Sequence, residues 1–161
     1  MSQLFEMDNY VIRTKLLRIF GGAFYFEDLE GNVVAYSKQK RFKLKEDIVL
    51  YTDESCTEPL VQIKARSVFD LATTYDIFNP QDGTNLGSAK RQALKSILKD
   101  SWVINDPAGN PYASFVEDSI AILRRFIPLI PAKYHFEVAG QPEILMQQRF
   151  NPLIKRTQVS I

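Results

Sequence analysis

Hydrophobic and polar residues alternate one for one through much of this chain, and that pattern restricts the fold more than any other feature. Val61, Ile63 and Ala65 share one parity while Gln62, Lys64 and Arg66 take the other. Tyr134, Phe136 and Val138 oppose His135 and Glu137, Val159 and Ile161 oppose Gln158 and Ser160, and Arg41, Lys43 and Lys45 oppose Phe42 and Leu44. A period of two over five to eight residues marks strands with one buried face, the habit of antiparallel sheets. About a dozen such segments can be counted. Between them stand turn signals: Glu30-Gly-Asn32, Pro80-Gln-Asp-Gly83, Pro107-Ala-Gly-Asn110 and Ala139-Gly-Gln-Pro142. Only Ala93–Leu98 and Ser119–Phe126 show helical spacing, each enough for a turn or two. The fold class expected is mainly β.

The strands also repeat. Four times an aromatic residue opens a strand, a glycine turn follows, and a second strand returns: Phe24 to Gly31, Tyr75 to Gly83, Trp102 to Gly109 and Tyr134 to Gly140. The intervals between these glycines are 52, 26 and 31 residues, too uneven for a propeller or solenoid of fixed period. Consecutive hairpins without that regularity suit a meander closing into a barrel, which removes exposed edges. No composition break divides residues 1–161, so one domain is expected. Phe150–Ile161 reads as the front half of a fifth unit, stopping on Thr157, Val159 and Ile161 where a turn is due. The expectation is an edge strand there, open to strand addition, or a C-terminally truncated form.

The unit itself (aromatic-x-Ile/Phe, a glycine turn, then Gly-x-x-Val/Leu/Tyr-Ala/Gly in the first three copies), together with Leu123-Arg-Arg-Phe-Ile-Pro-Leu-Ile-Pro-Ala-Lys-Tyr134, resembles the phospholipid scramblase-related and LURP-one-related proteins of the Tubby C-terminal-like superfamily. The resemblance spans roughly residues 10–161. It implies a closed antiparallel barrel of about twelve strands around one hydrophobic helix that normally comes last, and it implies phosphoinositide headgroups as a ligand class. This chain departs from it in offering no all-round apolar segment to fill the barrel. An unfilled lumen would be a severe packing defect, so either a C-terminal segment or some other occupant is expected inside. The membrane-spanning end, the palmitoylated cysteine cluster and the acidic calcium segment of the membrane scramblases are also missing here.

Composition narrows function mostly by exclusion. One cysteine (Cys56) and one histidine (His135) cannot form an internal disulfide or a four-ligand zinc site of the usual kind. His135, beside Glu137 in parity, reads as a surface imidazole near a carboxylate, and Cys56 as an ordinary thiol near a turn. The stretch around Asp53, Glu54 and Glu58 reads as a polar hairpin turn, without the spacing of a calcium loop. No nucleophile elbow, phosphate-binding loop or dinucleotide fingerprint is present, so no catalytic residue and no cofactor is expected. The net charge of +1 weakens a nucleic-acid reading. No segment approaches the roughly 20 apolar residues of a spanning helix and no secretory signal opens the chain, so a cytoplasmic location, peripheral at a membrane, is expected.

What remains is charge in blocks. Lys38, Lys40, Arg41, Lys43 and Lys45 put five bases into eight residues without an acid. A patch for anionic lipid headgroups accounts for them, and so does a solvated strand face that discourages edge pairing. Lys90, Arg91, Lys95 and Lys99 form a second basic group, and Arg124, Arg125 and Lys133 a third. The expected function is a non-enzymatic binding domain for anionic phospholipid or phosphoinositide headgroups through Lys38–Lys45. The alternative is a protein-interaction or structural domain that uses an edge strand or the barrel end. Oligomeric state is left open.

Overall fold

A computed structural model describes residues 3–17, 21–40, 47–67, 73–92, 100–118, 131–149 and 155–161, without the side chains of 15–17, 21, 39 and 40. A single 3-10 turn, η1 (Gln3–Glu6), precedes twelve strands: β1 (Asn9–Leu17), β2 (Gly21–Glu27), β3 (Val33–Lys40), β4 (Asp47–Tyr51), β5 (Pro59–Ala65), β6 (Thr74–Phe78), β7 (Asn85–Arg91), β8 (Ser101–Asn105), β9 (Pro111–Glu117), β10 (Lys133–Val138), β11 (Ile144–Arg149) and β12 (Lys155–Ser160). Each strand pairs antiparallel with its neighbours in sequence, and β1 pairs with both β2 and β12, closing a twelve-stranded barrel. The expected mainly-β barrel is the fold, and no α-helix occurs among the described residues. The two short helical spacings, Ala93–Leu98 and Ser119–Phe126, fall outside them.

The expectation of an edge strand at 155–161 is corrected by closure. Gln158 pairs with Val11 on one side and Gln147 on the other, and the Ile161 amide donates to the Asp8 carbonyl at 2.8 Å. With both sides of β12 hydrogen-bonded, no ladder remains for another chain to extend.

Because the barrel is a meander, its connections alternate between two ends. The turns 28–32, 52–58, 79–84, 106–110 and 139–143 all lie at one end, here called the glycine end. Each carries a residue with positive φ: Gly31, Cys56, Gly83, Gly109 and Gly140. Cys56, at φ 56°, supplies the turn that the glycine count lacks, so the 52-residue interval is two repeats of 25 and 27. Just past the turn, the β2–β3, β4–β5, β6–β7 and β8–β9 pairs each shift register by one residue. The extra residues are Val34, Leu60, Leu86 and Tyr112, the Val/Leu/Tyr of the returning strand. Such a bulge sharpens local twist, which a sheet needs in order to close. The residue after each bulge, Ala35, Val61, Gly87 or Ala113, returns to the inward parity.

That parity carries the hydrophobic set. Val61, Ile63 and Ala65 face inward, as do Tyr134, Phe136 and Val138, each in register with inward residues of the next strand. At the glycine end, Leu4 of η1 is buried against Val34 and Ala35, among Met7, Tyr10, Phe26, Leu50 and Leu60. The N-terminal turn therefore packs into this end of the barrel. Ser37 also faces inward, and its buried hydroxyl donates to the Val49 carbonyl at 2.8 Å, so it adds no unpaired polar group.

Candidate functional site

The opposite side of the lumen is open. A cavity of about 390 Å³ runs along the inner faces of seven consecutive strands, lined by Ile48, Ile63, Tyr75, Ile77, Ala89, Trp102, Ile104, Phe115 and Phe136. The register explains the company. Ile48 pairs with Ile63 and Ile63 with Ile77, while Tyr75 pairs with Ala89 and Ala89 with Ile104. Trp102 pairs with Phe115 and Phe115 with Phe136, so aromatic rings form one wall. Tyr75 and Trp102 rings lie 5.7 Å apart, and Phe115 stacks on Tyr134 at 5.0 Å. The aromatic openings at Tyr75, Trp102 and Tyr134 thus belong to the interior. Among the described residues, no charged side chain lines the cavity. Its volume falls in the range of small-molecule sites, roughly 300–1,000 Å³.

Above this cavity, away from the glycine end, the barrel is basic. Of the described Lys and Arg residues, every one except Arg13 lies within three residues of a strand terminus at that end or just beyond it: Lys15, Lys38, Lys40, Lys64, Arg66, Lys90, Arg91, Lys133, Arg149, Lys155 and Arg156. The glycine end is the reverse. Its five turns and the segment before β1 hold Glu6, Asp8, Asp28, Glu30, Asp53, Glu54, Glu58, Asp82, Asp106 and Glu143, with no Lys or Arg. Charge blocks that alternate along the sequence are sorted by the meander onto opposite ends. The described members of the three basic groups, Lys38, Lys40, Lys90, Arg91 and Lys133, therefore share one end of the barrel.

Of the residues singled out for headgroup binding, Lys38 is exposed on the outer face of β3, where its backbone pairs with Ala23. Lys40 closes the same strand opposite Gly21, on the same parity. Arg41, Lys43 and Lys45 lie outside the described residues, as do Lys95, Lys99, Arg124 and Arg125. At the same end Asp76 holds Arg66 by three hydrogen bonds from two guanidinium nitrogens, and Asp100 holds Arg91 at 2.6 Å. Those two guanidinium groups are already engaged. Among the described residues Lys38 has no ion-pair or side-chain hydrogen-bond partner, although Asp47 stands near the same rim.

The other singled-out groups serve local structure. His135 is half-exposed on the outer face, and its Nδ1 lies 2.5 Å from the Glu143 carboxylate. The carboxylate partner is thus Glu143, across the turn; Glu137, its neighbour in parity, instead accepts from Ser114 at 3.4 Å. Asp53, Glu54 and Glu58 belong to the β4–β5 turn, which folds over the outer face of β2 and β3. There Cys56 packs on Ala23, Tyr25 and Tyr36, and the Tyr25 hydroxyl donates to Glu54 at 3.3 Å. Arg13 stacks over the Tyr25 ring at 4.0 Å and pairs with Glu27 at 2.5 Å. In the turns, Asp28, Asp53, Asp82 and Asp106 have carboxyls held below the ordinary 3.8, for Asp82 chiefly by the Thr84 amide and for the others chiefly by hydrogen bonds to their side chains from Asn32, Ser55 and Asn110. Among the described residues, no three His, Cys, Asp or Glu side chains converge to hold a metal, and no helix is long and apolar enough to cross a membrane.

An unfilled lumen is what the lack of an all-round apolar segment led to expect; its lining residues, and the sorting of acid to the glycine end, went unread in the sequence. The signal for the first was the inward parity of four isoleucines and four aromatic residues; the signal for the second was the acid-only composition of alternate turns. Compared with protein-family models, curated proteins and solved structures, the chain matches none.

Proposed function

We propose that this chain is a non-enzymatic binding domain that docks end-on at an anionic phospholipid surface, its basic end toward the headgroups. The observation that supports this is the charge sorting: Lys38, Lys40, Lys90, Lys133, Lys155 and Arg156 at one end, uninterrupted acid in the turns at the other. Such a dipolar body orients in the field of an anionic surface. Each base near it contributes about 1 kcal/mol, and the attraction fades beyond roughly 8–10 Å at physiological salt. The resemblance to Tubby-like proteins favours the same ligand class. The test is co-sedimentation with vesicles. Binding should require anionic lipid, weaken with added salt, and fall more than tenfold when Lys38, Lys40, Arg41, Lys43 and Lys45 are changed to Gln. Undiminished binding by that variant sinks the assignment to these residues.

A second reading, docking of a protein on the other end, has its own observation. The large hydrophobic side chains exposed among the described residues are Phe5, Leu29, Val33, Leu86, Tyr112, Leu145 and Ile161, and all lie at the glycine end. An apolar rim set among acids suits a partner with an apolar surface and basic margins. Light scattering discriminates self-association there: an assembly that dissociates in Leu29→Ser/Leu86→Ser/Tyr112→Ser uses this rim, and a strict monomer does not.

A further inference from the structure

We infer that the lumen is a binding site for a single-chain anionic amphiphile, such as a long-chain carboxylate, with the chain between β4 and β10 and the head at the basic end. For the sign of the head this rests on the membrane reading; the apolar lining stands apart from it.

Three observations carry the inference. Among the described residues the lining consists of aliphatic and aromatic side chains, and a concave apolar surface of this kind, open at its mouth, favours apolar guests. Its size selects one chain. A cavity of about 150 Å³ accommodates benzene, so 390 Å³ accommodates roughly sixteen non-hydrogen atoms at the same density, too few for a two-chain phospholipid. Its breadth across seven strands suits a flexible chain, which can bend along the curved wall from Ile48 through Tyr75 and Trp102 to Phe136.

The head then emerges where the inward residues become polar. On β7 the inward residue beyond Ala89 is Arg91, in register with Trp102; on β9 the residue beyond Phe115 is Glu117. Arg91 is bound to Asp100, and Glu117 accepts from the Asp100 amide at 3.2 Å. This local trio is acidic in sum, so it does not select an anion. The selection comes from the rest of that end, where Lys38, Lys64, Lys90, Lys133, Lys155 and Arg156 outnumber Asp47 and Asp118.

The chain reports on its own cavity, since Trp102 is its single tryptophan. In the full-length protein, titration with an ω-bromo dodecanoate should quench Trp102 fluorescence saturably, at one probe per chain. Affinity for dodecanoate should exceed that for dodecanol, and dodecylammonium should bind weakest. Ala89→Phe places a ring in the lumen and should weaken quenching at least tenfold with an unchanged far-ultraviolet spectrum. Absence of quenching, or equal quenching in a folded Ala89→Phe protein, overturns the site. If that variant does not fold, the chain-length series decides: affinity must rise with each added methylene up to the volume limit, and a flat series overturns the site. Tightest binding of the ammonium overturns the anionic head. Quenching without vesicle binding removes the membrane reading alone; vesicle binding without quenching removes the lumen site alone.

Discussion

Cys56 shows what a single residue does in this fold. It occupies the left-handed region at φ 56°, where the other turns of the same end have glycine. A Cβ in that region costs roughly 1–2 kcal/mol. The turn persists because the Cys56 amide donates to the Asp53 carbonyl at 3.3 Å and the side chain packs on Ala23, Tyr25 and Tyr36. Cys56→Val, with a branched Cβ in that backbone, should lose roughly 1–2 kcal/mol in urea unfolding, whereas Cys56→Gly should stay within about 0.5 kcal/mol of the parent because lost packing offsets relieved strain. The turn carboxyls make a second statement at this scale. Asp28, Asp53, Asp82 and Asp106 are held below 3.8 in the folded chain, so each contributes stability that is present above that value and lost as pH falls through the lower folded one. Thermal melting should therefore be flat in pH above about 5 and decline below 4, with a shallower decline in Asp28→Asn/Asp106→Asn. A parallel decline in that variant would place the acid sensitivity elsewhere.

The element that repeats is a bulged hairpin, and its sequence signature now has a cause. The small residue on the returning strand, Ala35, Gly87 or Ala113, follows the bulge and faces inward where the barrel wall bends. Gly87 is the strictest case: its φ is 139°, and a Cβ there would stand 2.3 Å from the Asn105 carbonyl oxygen on β8. Gly87→Ala should cost roughly 2–4 kcal/mol by urea unfolding, from backbone strain and overpacking together. A loss under about 0.5 kcal/mol would mean that the β7–β8 pair yields without resistance. The hairpins themselves were legible, because alternation and glycine turns are local signals. The β4–β5 connection reads as a hairpin turn in the sequence but not as a copy of the repeat, because it lacks glycine, although Asp53 stands three residues before Cys56, as Asp28 does before Gly31 and Asp106 before Gly109. The headgroup-binding segment was legible only as charge; Lys38 and Lys40 are placed on β3 and the other three residues lie outside the described ones.

For the whole molecule the decisive event is closure between β1 and β12, which pairs Asn9 with Ser160 across nearly the full length of the chain. Such a contact adds a large loop-closure entropy and tends to form slowly. Removing residues 155–161 would leave β1 and β11 as two open edges and uncover inward Tyr10 and Met146, which pair with Val159, itself 2% exposed. The shortened chain should associate or precipitate, as read by light scattering, because edges and core are exposed together. A soluble monomer with an intact near-ultraviolet spectrum would show that the remaining strands close without β12. Closure also makes the two ends distinct surfaces, one basic and one acidic with an apolar rim, which no open sheet would separate so fully.

Alternation by itself determined the strands, their inward faces and the barrel class, because a period of two needs no distant partner to be read. Composition by itself, with one cysteine and one histidine, excluded an internal disulfide and a four-ligand zinc site of those residues. Only tertiary structure decided three things. Closure turned an expected edge strand at 155–161 into the seam of a barrel. Register brought Ile48, Tyr75, Trp102 and Phe136, scattered over nearly ninety residues, around one apolar cavity. The meander sent alternate connections to opposite ends, so that a net charge of +1 became a strongly polar molecule. Each depends on which strands meet across space, and a linear pattern of residues does not carry that information.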